Sequence, residues 1–311
     1  MSHPTLTRSA VSASEVHEGE RPSRRTRPGR RRAPGGRWGR VIVHVIVLAL
    51  MVIWFIPVLG LFVSSVRTAN DTASSGWWTA FVAPLFTGYN YQQAFAVTGV
   101  GQSMATSLAI AIPVTVMTTL LSAIGAYALT TMSFRGRSVL SLLLVALLVV
   151  PPQVTLVPML QFFNATGLSG TVPAVWIFQV GFHVPFGIFL VRGFIASIPG
   201  DVLEAAAIDG ASALRIFRSI VLPLSLPVLA SLAIMQFLWS WNDLLVPLLF
   251  LGGTDLAQPM TVQIAGLVQE TGQGQSLLLA STVVSTLLPL IILIGLQRYF
   301  VRGILGGAVK G

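Results

Sequence analysis

Cysteine is absent from the 311 residues, lysine occurs once, and charged side chains of both signs make up only 9% of the chain. The missing cysteine excludes disulfides, thiolate metal sites and a cysteine nucleophile. Of the four histidines two lie in the polar first forty residues, so no histidine cluster remains for a metal. The single lysine, Lys310, is followed only by Gly311. A phosphate-binding loop needs Gly-Lys-Ser/Thr, so this chain has no P-loop with which to bind ATP. It offers no catalytic group and no cofactor site.

What is abundant is apolar surface: 54% of the residues are hydrophobic and the mean hydropathy is +0.80. Soluble domains carry about a quarter charged residues, so the composition is that of a membrane protein. A bilayer core takes roughly 20 apolar residues in a helix. The stretches 41–63, 104–129, 138–162, 172–196, 224–249 and 276–297 meet that test. The expected fold is therefore all-α, a polytopic membrane protein with six transmembrane helices. Residues 138–191 carry no Asp, Glu, Lys or Arg, but "NATGLSG" at 164–170 reads as a tight turn and divides them into two spans.

Arginine placement sets the orientation. With residue 1 in the cytoplasm, 18 of the 19 Lys and Arg residues fall on the inner side and only Arg67 falls outside. The positive-inside bias then places both termini in the cytoplasm. The tail "RPSRRTRPGRRRAPGGRWGR" (21–40) is rich in Pro and Gly and has no aromatic interleaving, which argues against a nucleic-acid reader. It reads as a disordered basic segment that fixes topology and touches anionic lipid headgroups. The expected organisation is a basic tail over 1–40, a first span at 41–63, a five-helix core over 104–297 with a cytoplasmic loop at 199–223, and a C-terminal tail at 298–311.

That loop is the one polar interruption with internal order. Pro199 and Gly200 break the preceding helix, Asp201 is placed to cap a new one from Val202, and Glu204 follows at the capping-box position. Ala205, Ala206 and Ala207 favour a slim helix, and Gly210 ends it. Ser212 is placed to cap a second helix with Leu214, Phe217, Ile220 and Val221 on one face, and Pro223 is expected to stop it. The physics alone leaves open whether this is a docking element or an amphipathic connector at headgroup level.

The residues themselves carry a resemblance. Glu204-Ala205-Ala206, Gly210 after three residues and Ile220-x-Leu222-Pro223 after nine more resemble the EAA pattern of inner-membrane permeases of ABC importers. "YNYQQAF" (89–95), "AYALTTMSFRGR" (126–137), "WSWNDLL" (239–245) and "QRYFVRGILGGAVKG" (297–311) are similar to segments of the maltose-type sugar permeases, although Thr106 stands where that family has Asn. "SSGWWTAF" and "TVQIAGLVQETGQ" resemble the α-glucoside branch.

The resemblance implies that Asp201, Glu204, Ala205, Ala206, Asp209, Gly210, Ala211, Arg215, Ile220, Leu222 and Pro223 form a coupling loop on a separate cytoplasmic ATPase dimer. It further implies that Arg302, Gly303, Gly307 and Lys310 add a tail contact to it. ATP and Mg would be bound by that partner. The remaining partners implied are a second permease subunit, forming a heterodimer, an extracytoplasmic solute-binding protein and membrane lipid, in a bacterial inner membrane and without nucleic acid. The implied function is half of an alternating-access pathway for a sugar, an oligosaccharide or a glucoside.

Within the spans, Asp243 with Asn242 reads either as a pathway or gate pair or as a structural hydrogen bond to a neighbouring helix. His183 reads as a paired packing residue rather than a proton relay, because no carboxylate lies in its span, and with Trp241 it joins Asn242 and Asp243 as a candidate pathway residue. Trp239 and Trp241 read as packing or interfacial aromatics, with sugar stacking as the alternative. Competing functions are a permease for a non-sugar solute such as a polyamine, a self-sufficient secondary transporter or channel, and a membrane anchor. No inverted repeat or set of intramembrane coupling charges supports the second of these.

Overall fold

A computed structural model describes residues 37–252, 258–269 and 275–308. Among the described residues the secondary structure is helical, with one isolated bridge between Arg67 and Phe86. The helices are α1 (Arg37–Ser65), α2 (Ala69–Ser74), α3 (Tyr89–Ala96), α4 (Val100–Thr131), α5 (Arg137–Val149), α6 (Pro152–Thr166) and α7 (Val172–Ile195). They continue with α8 (Gly200–Ile208), α9 (Ala213–Ile216), α10 (Leu222–Asn242), α11 (Leu245–Leu251), α12 (Met260–Gln269) and α13 (Gln275–Ala308). A 3-10 turn occupies Trp77–Phe81 and a π turn occupies Phe217–Val221. Contacts divide the chain into residues 1–53 and 54–311, and the second unit holds the packed core.

Helices α4, α7, α10 and α13 make that core. Lipid is as apolar as a leucine side chain, so helices in a membrane gain little by burying leucine against each other and pack through small residues instead. Helix α4 follows this rule closely. Its buried positions Ser103, Ser107, Ala111, Val114, Thr118, Ser122 and Ala126 recur every three or four residues, while Ile112, Val116, Leu120 and Ile124 are exposed. The small stripe seats α4 on α7 and α10, and the Ser107 hydroxyl accepts the Met260 backbone N–H at 2.8 Å.

Among the described residues five helical stretches are long and apolar enough to cross a membrane, namely 38–65, 100–131, 172–195, 213–242 and 275–298. The expected third span, 138–162, is not one straight helix. It is α5 and α6 meeting at 102°, which makes a sixth span only if the bent pair is counted as one. The cause is Pro151-Pro152: a proline pushes its predecessor into extended backbone and has no N–H for the ladder. Val150 and Pro151 accordingly adopt ψ 117° and 127°.

The fifth span also departs from its expected form. Pro223 does not stop a helix, because residues 213–242 run on as one and the π turn just before it absorbs the mismatch. The extra residue in that turn rotates the buried face. Ile216 takes the core position expected for Leu214, which is exposed. At the far end the helix terminates at Asn242, and Asp243 is extended (φ −71°, ψ 123°) before α11 begins.

Candidate functional site

The loop between α7 and α10 folds as two short helices around a tight turn. Helix α8 starts two residues earlier than the capping pattern suggested. Pro199 occupies the cap without a side-chain bond, and Asp201 lies in the first turn rather than at the cap. There it faces the positive end of the helix dipole. Gly210 has φ +79°, with its N–H on the Ala207 carbonyl and the Ala211 N–H on that of Ala206, both at 3.0 Å. That left-handed conformation suits glycine, and nothing lies within 4 Å of where a Cβ would be. Ser212 caps α9 as expected, accepting the Arg215 N–H.

The loop presents one exposed face and one that packs inward. Glu204, Ala205, Asp209 and Gly210 are exposed, and Ile208 at the tip is 85% exposed. Leu203, Ala206, Ala211 and Phe217 pack inward against the cluster built on Ile188, Val191, Ile216 and Leu232. Tyr127 of α4 fastens this stem: its hydroxyl donates to the Ala213 carbonyl at 3.0 Å and its ring lies 5.2 Å from that of Phe217. Ile220 and Leu222 are half-buried in the stem, whereas Arg215 and Pro223 are exposed. The loop is thus a shaped projection held by the bundle.

A second feature is a cavity of about 430 Å³ where α6, α7 and α10 meet, walled by Gln153, Gln179, His183, Trp239, Asn242 and Asp243 with apolar neighbours. Its size falls in the range of small-ligand pockets. Gln179, 1% exposed, donates to Asp243 Oδ2 at 2.8 Å and accepts from the Ser240 hydroxyl at 2.6 Å. Asp243 also accepts the Val246 N–H on Oδ1, and its carbonyl accepts from Thr261. Both carboxylate oxygens and the carbonyl of half-buried Asp243 are therefore hydrogen-bonded at the break after α10. The His183 ring lies 5.7 Å from that of Trp239 and tilted by 53°, but its buried Nδ1 has no hydrogen-bond partner, so the pairing expected of it is not made at that atom.

Asn242 turns its amide back onto the Leu238 carbonyl, and Trp241 packs on Phe237 and donates to the Ser285 carbonyl. Trp241 is away from the cavity wall, where Trp239 stands in its place. Thr106 likewise bonds only its own helix, at Gln102. Arg302, Gly303 and Gly307 lie on α13, and Lys310 lies outside the described residues, as do positions 1–36 of the basic tail.

Residues 120–306 match the family described as binding-protein-dependent transport system inner membrane component. The chain belongs to that family. This permease is 46% identical over 277 residues to the osmoprotective compounds uptake permease protein of Synechocystis sp., covering 88% of this chain and 93% of the relative. It is 42% identical over 254 residues to the alpha-glucoside transport system permease protein of Rhizobium meliloti, covering 80% and 67% of the two chains.

Its fold is shared with a solved bacterial ABC transporter involved in import of the acidic polysaccharide alginate, at TM-score 0.72 and 20% identity over 86% of this chain and 98% of that one. A second such structure, in complex with an alginate pentasaccharide-bound periplasmic protein, matches at TM-score 0.62 and 16% identity over 85% and 96%. The permease is thus a multi-pass inner-membrane protein. Sequence reasoning had missed Tyr127, Gln153 and Gln179. The last sits one turn before His183 in a stretch with no charged residue before Arg192, so its polarity was a usable signal.

Proposed function

We propose that this permease forms half of the translocation pathway of a sugar importer and is driven by a separate ATPase dimer that docks on Gly200–Val221. The carrying observation is the division of that loop into an exposed edge, with Glu204, Ala205 and Ala207–Gly210, and a stem clamped to α4 by Tyr127 and Phe217. A projection held only by its own turn would deflect under load. One fixed to the bundle passes displacement of the tip to α4 and α10. The arginine distribution supports a cytoplasmic position for this loop and for both termini.

The substrate class we propose is a neutral glycoside. Two relatives are named for osmoprotective compounds and for alpha-glucosides. The cavity at the α10 break offers amides, one carboxylate, an imidazole and an indole, and neither lysine nor arginine lines it. That set hydrogen-bonds hydroxyl groups and stacks on sugar rings, and it meets an acidic sugar with the Asp243 carboxylate and no lysine or arginine. The remaining partners are a second permease subunit and an extracytoplasmic solute-binding protein, in keeping with the family's description and with the periplasmic protein seen on the alginate importer. The test is to purify the tagged chain from membranes, identify an ATPase and a second permease with it, and measure ATP-driven uptake in proteoliposomes. Uptake of a labelled α-glucoside but not of an acidic oligosaccharide is expected. Uptake without any ATPase would refute the scheme.

A further inference from the structure

We infer that residues 77–86 are an in-plane anchor that seats aromatic side chains in the membrane surface at the C-terminal end of α1. The segment belongs to an excursion that leaves α1 at Val66 and returns beside it, since Arg67 bridges to Phe86 and the Thr87 N–H donates to the Val66 carbonyl at 2.6 Å. Between those points the chain folds back along α1. The Trp77 indole lies so close over Gly60 that a Cβ there would come within 2.9 Å of its nitrogen. Gly60 is five residues before the end of α1, roughly 7 to 8 Å down the axis at 1.5 Å per residue. Glycine is what lets the ring approach at that depth.

The excursion is wound on Arg67, which is 4% exposed. Its guanidinium donates to the carbonyls of Asp71, Ser75 and Gly76 and to the hydroxyls of Ser75 and Thr79, at 2.6 to 3.2 Å. These bonds fix the 3-10 turn in one pose. Trp77 then meets Trp78 and Phe81 edge-on at 6.1 and 6.0 Å. Trp78, Phe81, Leu85 and Phe86 are all exposed, and Val82 is 88% exposed.

The depth of Trp77 decides what covers this patch. Gly60 lies inside the apolar run of the first span, and Val58 and Phe62 on the same stretch of α1 are exposed. The medium that covers those side chains is lipid, and the Trp77 cluster is level with them. No Asp, Glu, Lys or Arg occurs between Asp71 and Arg135, so the segment carries no charge that lipid would penalise. Tryptophan at the boundary between headgroups and acyl chains has its ring in the apolar layer and its N–H near water.

The cysteine-free chain makes the test direct. A nitroxide is placed on Val82→Cys, and for reference on Ser74→Cys, in the complex as it is purified and reconstituted into nanodiscs of phosphatidylethanolamine and phosphatidylglycerol. Collision with oxygen and with a water-soluble nickel chelate is then compared. The label at Val82 should show a severalfold higher oxygen-to-nickel ratio than that at Ser74, at a depth of about 5 to 10 Å below the boundary. A ratio equal to that at Ser74 would place the patch in water, and shielding on addition of a solute-binding protein would make it a docking face; either overturns the inference. Exclusion of both reagents would mean that another subunit covers it, and overturns it too.

Discussion

At Gly210 the chain turns in open space, whereas at Asp243 it turns inside the bundle. The first turn is held by two backbone hydrogen bonds and a left-handed glycine, with no neighbour within 4 Å of its Cβ position. The second uses an ordinary φ and is held by side chains from other helices, through Gln179 of α7 and Thr261 of α12. A turn made locally leaves its surface free for a partner. A turn made by distant contacts leaves a cavity, because the helix that would have filled the space ends there.

The comparison predicts opposite failures. Gly210→Trp should have the largest effect: a side chain at φ +79° costs on the order of 1 kcal/mol or more, and a bulky one props the tip out of any closely fitting cleft. Coupled uptake should be lost and ATPase should wash off the membranes, while insertion and pairing with the second permease persist. Asp243→Leu should do the reverse. It leaves the Gln179 amide and the Val246 N–H without an acceptor, a loss of about 1 to 3 kcal/mol. At 1.4 kcal/mol per decade, uptake and stability should fall roughly tenfold while the ATPase stays attached. Uptake, washed-membrane ATPase and thermal melting of the purified complex separate the two.

Smaller changes probe the link between the regions. Tyr127→Phe deletes one hydrogen bond to the Ala213 carbonyl, worth about 0.5 to 1.5 kcal/mol, and keeps the ring on Phe217. Uptake per ATP hydrolysed should drop severalfold with binding of the ATPase unchanged. Glu204→Gln removes an exposed charge and should be milder in both readouts. Arg137→Ala should be the mildest, because the bonds of this half-buried side chain to the Thr130 and Met132 carbonyls are 3.3 and 3.4 Å long, and losing such weak surface contacts costs about 0.5 kcal/mol.

The same contrast explains how much could be read in advance. The turn at Gly210 was legible because its causes are consecutive: breakers, three alanines, a glycine and the Ser212 cap. The fold class was legible because the lipid-facing residues are the hydrophobic ones. Which face of α4 is buried was not, since Ser103, Ser107, Thr118 and Ser122 turn inward and hydropathy points the other way. The bend at Pro151-Pro152 carried a plain signal that the length of the apolar run concealed. The cavity was illegible for a different reason. Asp243 and Gln179 are 64 positions apart, and nothing local says that they meet. Trp239 and Trp241 are two positions apart on one helix, so only packing decides which of them lines the wall.

The docking role of the loop is tested most directly by cross-linking from its tip. With no native cysteine to remove, Ile208→Cys in the assembled transporter should join to the ATPase subunit through a short bifunctional reagent, and Asn70→Cys should not. Cross-linking at Ile208 should vanish when Gly210→Trp is added. Efficient joining of Ile208→Cys to the second permease or to lipid, with none to the ATPase, would contradict the account.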